Sequence, residues 1–204
     1  MVLSKGENLF LLFAKFIYSL VEPSEEKRGE TGSKVTEWSI LPEKPRKGDT
    51  LTIRGKAGQP DSTLDIEVSF SRLVPVRDGL YEYVFEGIEI PKGRNRFTVT
   101  SRQVRDLNFI VKMFIDLKRS FDAREGVAEF AEDNVPHGTY DILINGKAEE
   151  GEKEVRLDFA AMQSVRSDTE GNFSLNYRTE ALAAGDFTVR LGSSEKNISL
   201  GPAG

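Results

Sequence analysis

Cysteine is absent from this chain of 204 residues, and its absence excludes several kinds of chemistry at once. Disulfides, thiolate nucleophiles, iron–sulfur clusters and cysteine-ligated zinc all need a thiol. Histidine occurs once, as His137, which leaves little for metal binding or acid–base chemistry. The sequence also has no Gly-x-Ser-x-Gly elbow, no phosphate-binding loop and no dinucleotide-binding glycine pattern. We therefore expect no cofactor, no bound metal and no enzymatic activity.

Positive charge is in short supply as well. The chain has 28 Lys and Arg against 33 Asp and Glu, and its formal net charge is −5. Nucleic-acid binding needs a basic surface that displaces counterions from the phosphates, so the composition argues against such a partner. The 38 % hydrophobic and 30 % charged residues are ordinary for a soluble globular protein and exclude general disorder.

A sustained helical pattern is missing between residue 35 and about residue 200, and a pattern of period two takes its place. In residues 64–70, LDIEVSF, every even position is apolar and every odd position is polar. Such alternation is typical of a half-buried strand, whose successive side chains point to opposite faces. Turn residues such as Asp78-Gly79 and Pro91-Lys92-Gly93 separate these runs, as in an all-β sandwich or barrel.

The chain repeats itself after about ninety residues. Residues 53–57 read IRGKA and residues 144–148 read INGKA, while Phe97-Thr98-Val99 recurs as Phe187-Thr188-Val189. Between these matches Tyr81 and Tyr83 fall opposite Phe173 and Leu175. The order of the matches is kept, which predicts two copies of one module. We predict an all-β protein of two tandem Ig-like or fibronectin-like β-sandwich domains, at 35–119 and 120–200, with a flexible tail at 201–204.

The N-terminal segment, residues 1–34, has a different composition. Residues 9–21 read LFLLFAKFIYSLV, an apolar run with one lysine, and residues 22–34 form a charged tether. A helix of this length covers roughly 20 Å, which is short for a bilayer core of about 30 Å. Three interpretations stay open: a signal or signal-anchor remnant, an interfacial or packing helix, and a membrane span. We predict a short apolar helix, and residues 9–21 are a possible point of membrane attachment.

Two kinds of candidate site residue stand out. Asn172 and Asn197 each begin an Asn-x-Ser sequon, which predicts possible glycosylation on a surface protein. Trp38, Tyr81 and Tyr83 could form a stacking surface for a carbohydrate. For Trp38, packing in the core or against the other module is the favoured interpretation.

Three polar segments are better explained as surface structure than as sites. Residues 167–171, SDTEG, resemble a short calcium loop but lack the spaced ligands of an EF-hand, so a turn is favoured over a cation site. His137 lies in the turn sequence Pro136-His137-Gly138, without a second histidine. Residues 149–154, EEGEKE, are expected to be a solvated connection between strands.

Four segments of the second copy read GVAEF at 126–130, VPHGTYDILING at 135–146, DTEGNFS at 168–174 and AGDFTV at 184–189. Together they resemble Ig-like modules of archaeal cell-surface proteins. The first copy departs from the pattern, with Gly79-Leu80-Tyr81 in place of the longer acidic turn. The resemblance implies an exported, often glycosylated envelope component, and it bears on fold and location but not on any site.

These observations favour a non-enzymatic, extracytoplasmic structural or adhesive protein, at the cell surface or secreted. Its tandem modules would act as a spacer and a protein-interaction surface. The alternative is a module that binds carbohydrate or another envelope polymer through exposed aromatic residues. In both cases the expected partner is a protein or a polymer of the cell surface.

Overall fold

The computed structural model describes residues 35–204, and this part of the chain is all-β, with thirteen strands and no helix. The strands are β1 (Val35–Leu41), β2 (Thr50–Ala57), β3 (Thr63–Pro75), β4 (Leu80–Ile90), β5 (Asn95–Arg102), β6 (Asp106–Lys112), β7 (Leu117–Asp122), β8 (Val127–Asp133), β9 (Gly138–Lys147), β10 (Glu154–Arg166), β11 (Asn172–Arg178), β12 (Gly185–Leu191) and β13 (Ser194–Leu200). The predicted fold class is therefore confirmed at the level of an all-β protein. Residues 9–21 and the tether lie outside the described part, so the N-terminal helix stays a prediction. No helix among residues 35–204 could span a bilayer.

The strands form three antiparallel sheets. The largest has six strands in the order β13-β12-β3-β10-β5-β8, and the two smaller ones have the orders β1-β2-β11 and β4-β9-β6-β7. At the centre of the large sheet β3 and β10, each of 13 residues, pair along their entire length, from Thr63 opposite Arg166 to Pro75 opposite Glu154. These two paired strands therefore form the centre of the largest sheet.

Both small sheets pack on one face of the large sheet, in sandwich-like layers. The even positions of β3 share a face, because side chains alternate along a strand and this pairing has no bulge. On that face Leu64 and Ile66 belong to one hydrophobic core, with Trp38 of β1 and Phe173 of β11. Val74, on the same face, belongs to the other core. Strand β3 thus passes from the first core to the second, and the antiparallel strand β10 runs from the second core back to the first.

The two cores do not correspond to the two copies of the sequence. The first core combines residues 38–66 with residues 173–191, whereas the second is built from residues 74–159. Strand β2 pairs with β11, β4 pairs with β9, and β3 pairs with both β10 and β12. The predicted contiguous modules 35–119 and 120–200 therefore need correction. The central part of the chain forms one unit, and the two ends of the described chain come together to form the other.

The unit that contains the first core is formed by the two ends of the described chain, and backbone hydrogen bonds join these ends directly. The Lys47 amide donates to the Gly201 carbonyl at 2.9 Å, and the Gly201 amide donates to the Pro45 carbonyl at 2.8 Å. The predicted flexible tail at 201–204 thus begins too early, because Gly201 is held by two backbone hydrogen bonds. Closure of this unit depends on segments that lie more than one hundred residues apart, which favours slow, cooperative folding.

The repeated phrases at 53–57 and 144–148 are explained by reciprocal contacts between the copies. Gly55 lies opposite Phe173 in the pairing of β2 with β11, and Gly146 lies opposite Tyr81 in the pairing of β9 with β4. A Cβ at Gly55 would lie 2.8 Å from Phe173 Cζ and 2.3 Å from the Glu37 carbonyl oxygen. A Cβ at Gly146 would lie 2.9 Å from Tyr81 Cε1 and 2.2 Å from the Asp106 carbonyl oxygen. Each copy supplies the glycine on which a ring of the other copy lies.

A cluster of phenyl rings lies where the two cores approach each other. The Phe70 ring stacks on Phe159 with centroids 4.8 Å apart, and it also contacts Phe187 at 4.8 Å and Phe85 at 6.3 Å. Phe70 and Phe159 are direct partners in the β3–β10 pairing. Ring pairs of this kind add about 0.5–1.5 kcal/mol each beyond the burial of their area. The crossing strands are therefore held by side chains as well as by backbone hydrogen bonds.

We predict that Gly55→Ala and Gly146→Ala each lower the free energy of unfolding by about 1–3 kcal/mol, because a methyl group at either position overlaps backbone and ring atoms. Urea denaturation measures the change. Gly201→Ala is the matched control, since its Cβ would meet its nearest atom at 3.5 Å, an ordinary contact. Equal stability of all three variants would contradict the reciprocal packing.

Candidate functional site

The outer face of the six-stranded sheet is a polar surface built by its strands. Side chains that alternate away from the two cores reach it, and the small sheets lie on the opposite face. They are exposed or half-buried and include Asp65, Glu67, Ser69, Ser71, Arg156, Asp158, Ser164, Thr98, Thr100, Arg102, Asp186, Thr188 and Arg190. The period-two pattern that buries the apolar residues thus also creates this face.

Ion pairs of both signs run across the outer face. Arg102 Nε and Arg156 Nε lie 2.8 Å and 2.7 Å from the carboxylate of Asp158, and Ser71 Oγ donates to it at 2.6 Å. Burial alone would raise the pKa of Asp158, but these hydrogen bonds outweigh burial and lower that pKa. Arg190 contacts Glu67 at 3.5 Å and Glu195 at 3.0 Å. The face carries paired charges, so it does not present a field of one sign.

An open recess interrupts the face where β12 diverges from β3. These strands pair over only four residue pairs, from Ser69 opposite Thr188 to Ile66 opposite Leu191, whereas β10 and β5 pair over eight. Beyond Ser69 the guanidinium of Arg72 lies between the strands. It is 4.7 Å from the Phe70 ring centroid and 5.2 Å from that of Phe187, and it donates to the Ala183 carbonyl at 3.0 Å. The Arg72 side chain thus occupies the space between the diverging strands.

The lining of this fork recess combines polar groups with aromatic rings. The polar residues are Ser69, Ser71, Arg72, Asp158, Asp186, Thr188, Asn197 and Ser199; Phe70, Phe159 and Phe187 lie beneath them, and the last two rings are buried. Hydroxyl and carboxylate groups can bind a polyhydroxylated ligand through hydrogen bonds. No histidine lines the recess, and the two carboxylates already accept hydrogen bonds from Ser71 and Ser199. The arrangement of these groups suits the binding of a polyhydroxylated ligand.

The two sequon asparagines are both exposed, on different parts of the surface. Asn172 begins β11, where its side-chain Nδ2 donates to the Asp168 carboxylate at 3.2 Å. Asn197 lies on β13 in the wall of the fork recess, and its Oδ1 accepts a hydrogen bond from Thr188 Oγ1 at 2.9 Å. Both positions are open to solvent, and their glycosylation stays a prediction.

The three aromatic residues of the predicted stacking surface are not brought together. Trp38 is 9 % exposed and packs in the first core, with its Nε1 donating to Ser194 Oγ at 2.9 Å. Tyr81 is 2 % exposed in the second core; burial raises its pKa to about 12, and its hydroxyl donates to the Asp106 carbonyl at 2.9 Å. Tyr83 is half-buried against Phe85 and Phe159. The surface expected from these rings needs correction, because all three side chains face the hydrophobic cores.

The remaining polar segments lie in turns. His137 is exposed in the turn before β9. The Asp168 carboxylate accepts hydrogen bonds from the amides of Asn172 and Glu170 at 2.8 Å and 2.9 Å, which lowers the pKa of Asp168 and closes the turn. Among residues 35–204, no group of three or more His, Asp or Glu residues is arranged to hold a metal ion.

Comparison with known proteins gives no match. No family model fits the chain, and no curated protein and no solved structure is significantly similar to it. The resemblance to archaeal surface modules therefore stays a hypothesis that depends on the quoted residues.

Sequence reasoning missed the fork recess. Its polar residues occupy alternating positions of β3, β10, β12 and β13, which come together only through pairing between the copies. Alternation in residues 64–70 does place Ser69 on the polar face of β3. The alternation does not indicate that Asp186 or Asn197 lies near Ser69, because their proximity depends on the order of the strands in the sheet.

Proposed function

We propose that this chain is a non-enzymatic, extracytoplasmic structural or adhesive protein, displayed at the cell surface or secreted, with two Ig-like units that act as spacer and interaction surface. The observation that carries the proposal is the continuous pairing of β3 with β10, which joins the units without a linker. The apolar run at residues 9–21 and the resemblance of the second copy to archaeal surface modules support the location.

The mechanism would be rigid display of surfaces that a partner protein can recognise. Two kinds of surface are available: the polar outer face and the outermost strands of the large sheet, β13 and β8. An extended segment of a partner can add to such an edge through backbone hydrogen bonds, with no catalytic residue involved. Sugars at Asn172 and Asn197 and attachment through residues 9–21 would complete a surface protein of this kind.

A second candidate function is binding of a carbohydrate or another envelope polymer. The fork recess favours it, since hydroxyl and carboxylate groups of Ser71, Asp158 and Asp186 line it. Under this proposal the recess takes the role that we first gave to Trp38, Tyr81 and Tyr83. A sugar attached at Asn197 would compete with the polymer, because Asn197 lines the same recess.

Localisation of the native protein tests the leading proposal. We expect accessibility to an impermeant amine-reactive label on intact cells, or release into the medium, together with a mass that reports any sugar at Asn172 or Asn197. Total protein from lysed cells is the control for labelling. Recovery in the soluble cytosolic fraction, with an intact N-terminus and no label, would defeat the proposal.

A glycan panel tests the second candidate. We expect Asp186→Ala to weaken the binding of an envelope polysaccharide about tenfold, because one charge-assisted hydrogen bond contributes roughly that factor. Glu129→Ala, on the same face but in strand β8, is the control and should bind as the unchanged protein does. Absence of binding by the unglycosylated protein, or equal loss in both variants, counts against the fork recess.

A further inference from the structure

The turn between strands β6 and β7 has an unusual composition. It consists of residues 113–116, MFID, and connects Lys112 at the end of β6 to Leu117 at the start of β7. Turns between paired strands favour Gly, Asn, Asp and Pro at their centre, because these residues suit the backbone of a tight bend. Here the centre holds two large apolar residues, Phe114 and Ile115. The demands of the turn therefore do not account for this apolar pair.

The side chains of the apolar pair are open to solvent. Phe114 is 104 % exposed and Ile115 is 66 % exposed, so no side chain among residues 35–204 covers the Phe114 ring. Other exposed large apolar residues of this part of the chain, Leu73, Leu80 and Val84, lie within strands and are not adjacent in sequence. Isolated apolar residues are common on protein surfaces, whereas a contiguous exposed pair at a bend indicates contact with an apolar partner.

The base of this turn is fixed on both sides of the apolar pair. Met113 packs against the second core, and Lys112 Nζ lies 2.7 Å from the Asp116 carboxylate. The ion pair spans the turn and balances the two charges that border Phe114 and Ile115. Strand β7 is also the outermost strand of its sheet, so the turn lies at a corner of the molecule. The two apolar side chains therefore project from a fixed and locally neutral base.

The small area of the apolar pair indicates which kind of partner it suits. A buried aromatic side chain contributes about 150–250 Å², and a stable protein interface buries about 800 Å² on each partner. The neighbouring ion pair is of a kind that the cores of protein interfaces exclude. A lipid bilayer needs neither a large area nor a matched shape, because it takes up each apolar side chain separately. Transfer of one such side chain out of water strengthens binding by roughly tenfold to a hundredfold.

We propose that the tip of the β6–β7 hairpin, formed by Phe114 and Ile115, inserts into the interfacial region of a lipid bilayer. The two apolar side chains reach the boundary of the acyl chains, while Lys112 and Asp116 stay at the level of the headgroups. Two side chains give weak, reversible attachment, so the tip acts as a second contact beside another anchor, for which residues 9–21 are the candidate. This contact goes beyond the display of surfaces, since it would also fix how the displayed faces are oriented.

Fluorescence quenching by brominated lipids tests the insertion on the full chain. The vesicles contain equal amounts of phosphatidylcholine and phosphatidylglycerol, with bromine on the acyl chains. In Phe114→Trp the added tryptophan should be quenched about twofold relative to vesicles without bromine, because an interfacial side chain lies about 5–10 Å deep.

Leu73→Trp is the matched control, since Leu73 is exposed on the outer face of the large sheet and the hairpin belongs to a sheet on the opposite face. Trp38, buried in the first core, gives the same background in both variants. Equal quenching at positions 114 and 73, no quenching at position 114, or a chain that does not bind these vesicles overturns the proposal.

Vesicle sedimentation measures how strongly the tip contributes. Phe114→Ser together with Ile115→Ser should lower the partition coefficient of the full chain about a hundredfold, because each side chain contributes at least about tenfold. Leu73→Ser together with Leu80→Ser removes two other exposed apolar side chains and should leave the partition coefficient unchanged. Equal losses in the two double variants contradict a specific role of the tip. Unchanged partitioning of the tip variant, with loss of its attachment to intact cells, would assign the tip to a protein partner and overturn the bilayer contact.

Discussion

The full-length pairing of β3 with β10 is the constraint on which the rest of the molecule depends. Thirteen consecutive residue pairs place the two copies side by side in opposite directions, so that each strand crosses from one core to the other. Both cores and the stacked pair of Phe70 and Phe159 lie along these two strands. Two units joined in this way share a sheet, so they cannot move independently as two domains joined by a flexible linker can.

The internal repeat does not correspond to two separately folded modules. Repeated sequence usually indicates modules that close on themselves, but here equivalent strands exchange partners, so β2 pairs with β11 as β9 pairs with β4. The exchange is symmetrical at the level of single contacts. The Gly171 carbonyl accepts from the Ala57 amide at 2.8 Å, and its counterpart, the Gly79 carbonyl, accepts from the Ala148 amide at 2.9 Å. Duplication followed by such an exchange makes one protein out of two similar halves.

The strands could be predicted from the sequence because alternation is local: residues 64–70 indicate which side chains are buried without reference to any partner. The repeat could be predicted for the same reason. The partners of each strand could not, because the repeat offers Gly55 two matching aromatic positions, Tyr81 and Phe173, and only the whole set of contacts decides. The existence of the fork recess depends on that choice. Stacking surfaces inferred from aromatic residues alone are therefore unsafe where alternation directs the rings inward.

Cysteine cross-linking tests the exchange most directly, since the chain has no cysteine of its own. Thr52 lies opposite Asn176 and donates to its Oδ1 at 2.8 Å. In a module that closed on itself, Thr52 would instead lie opposite Val84, the counterpart of Asn176 in the first copy. The account predicts that Thr52→Cys with Asn176→Cys forms an intramolecular disulfide on oxidation, and that Thr52→Cys with Val84→Cys does not. The reverse pattern, read by peptide mass mapping before and after reduction, would contradict the exchanged fold.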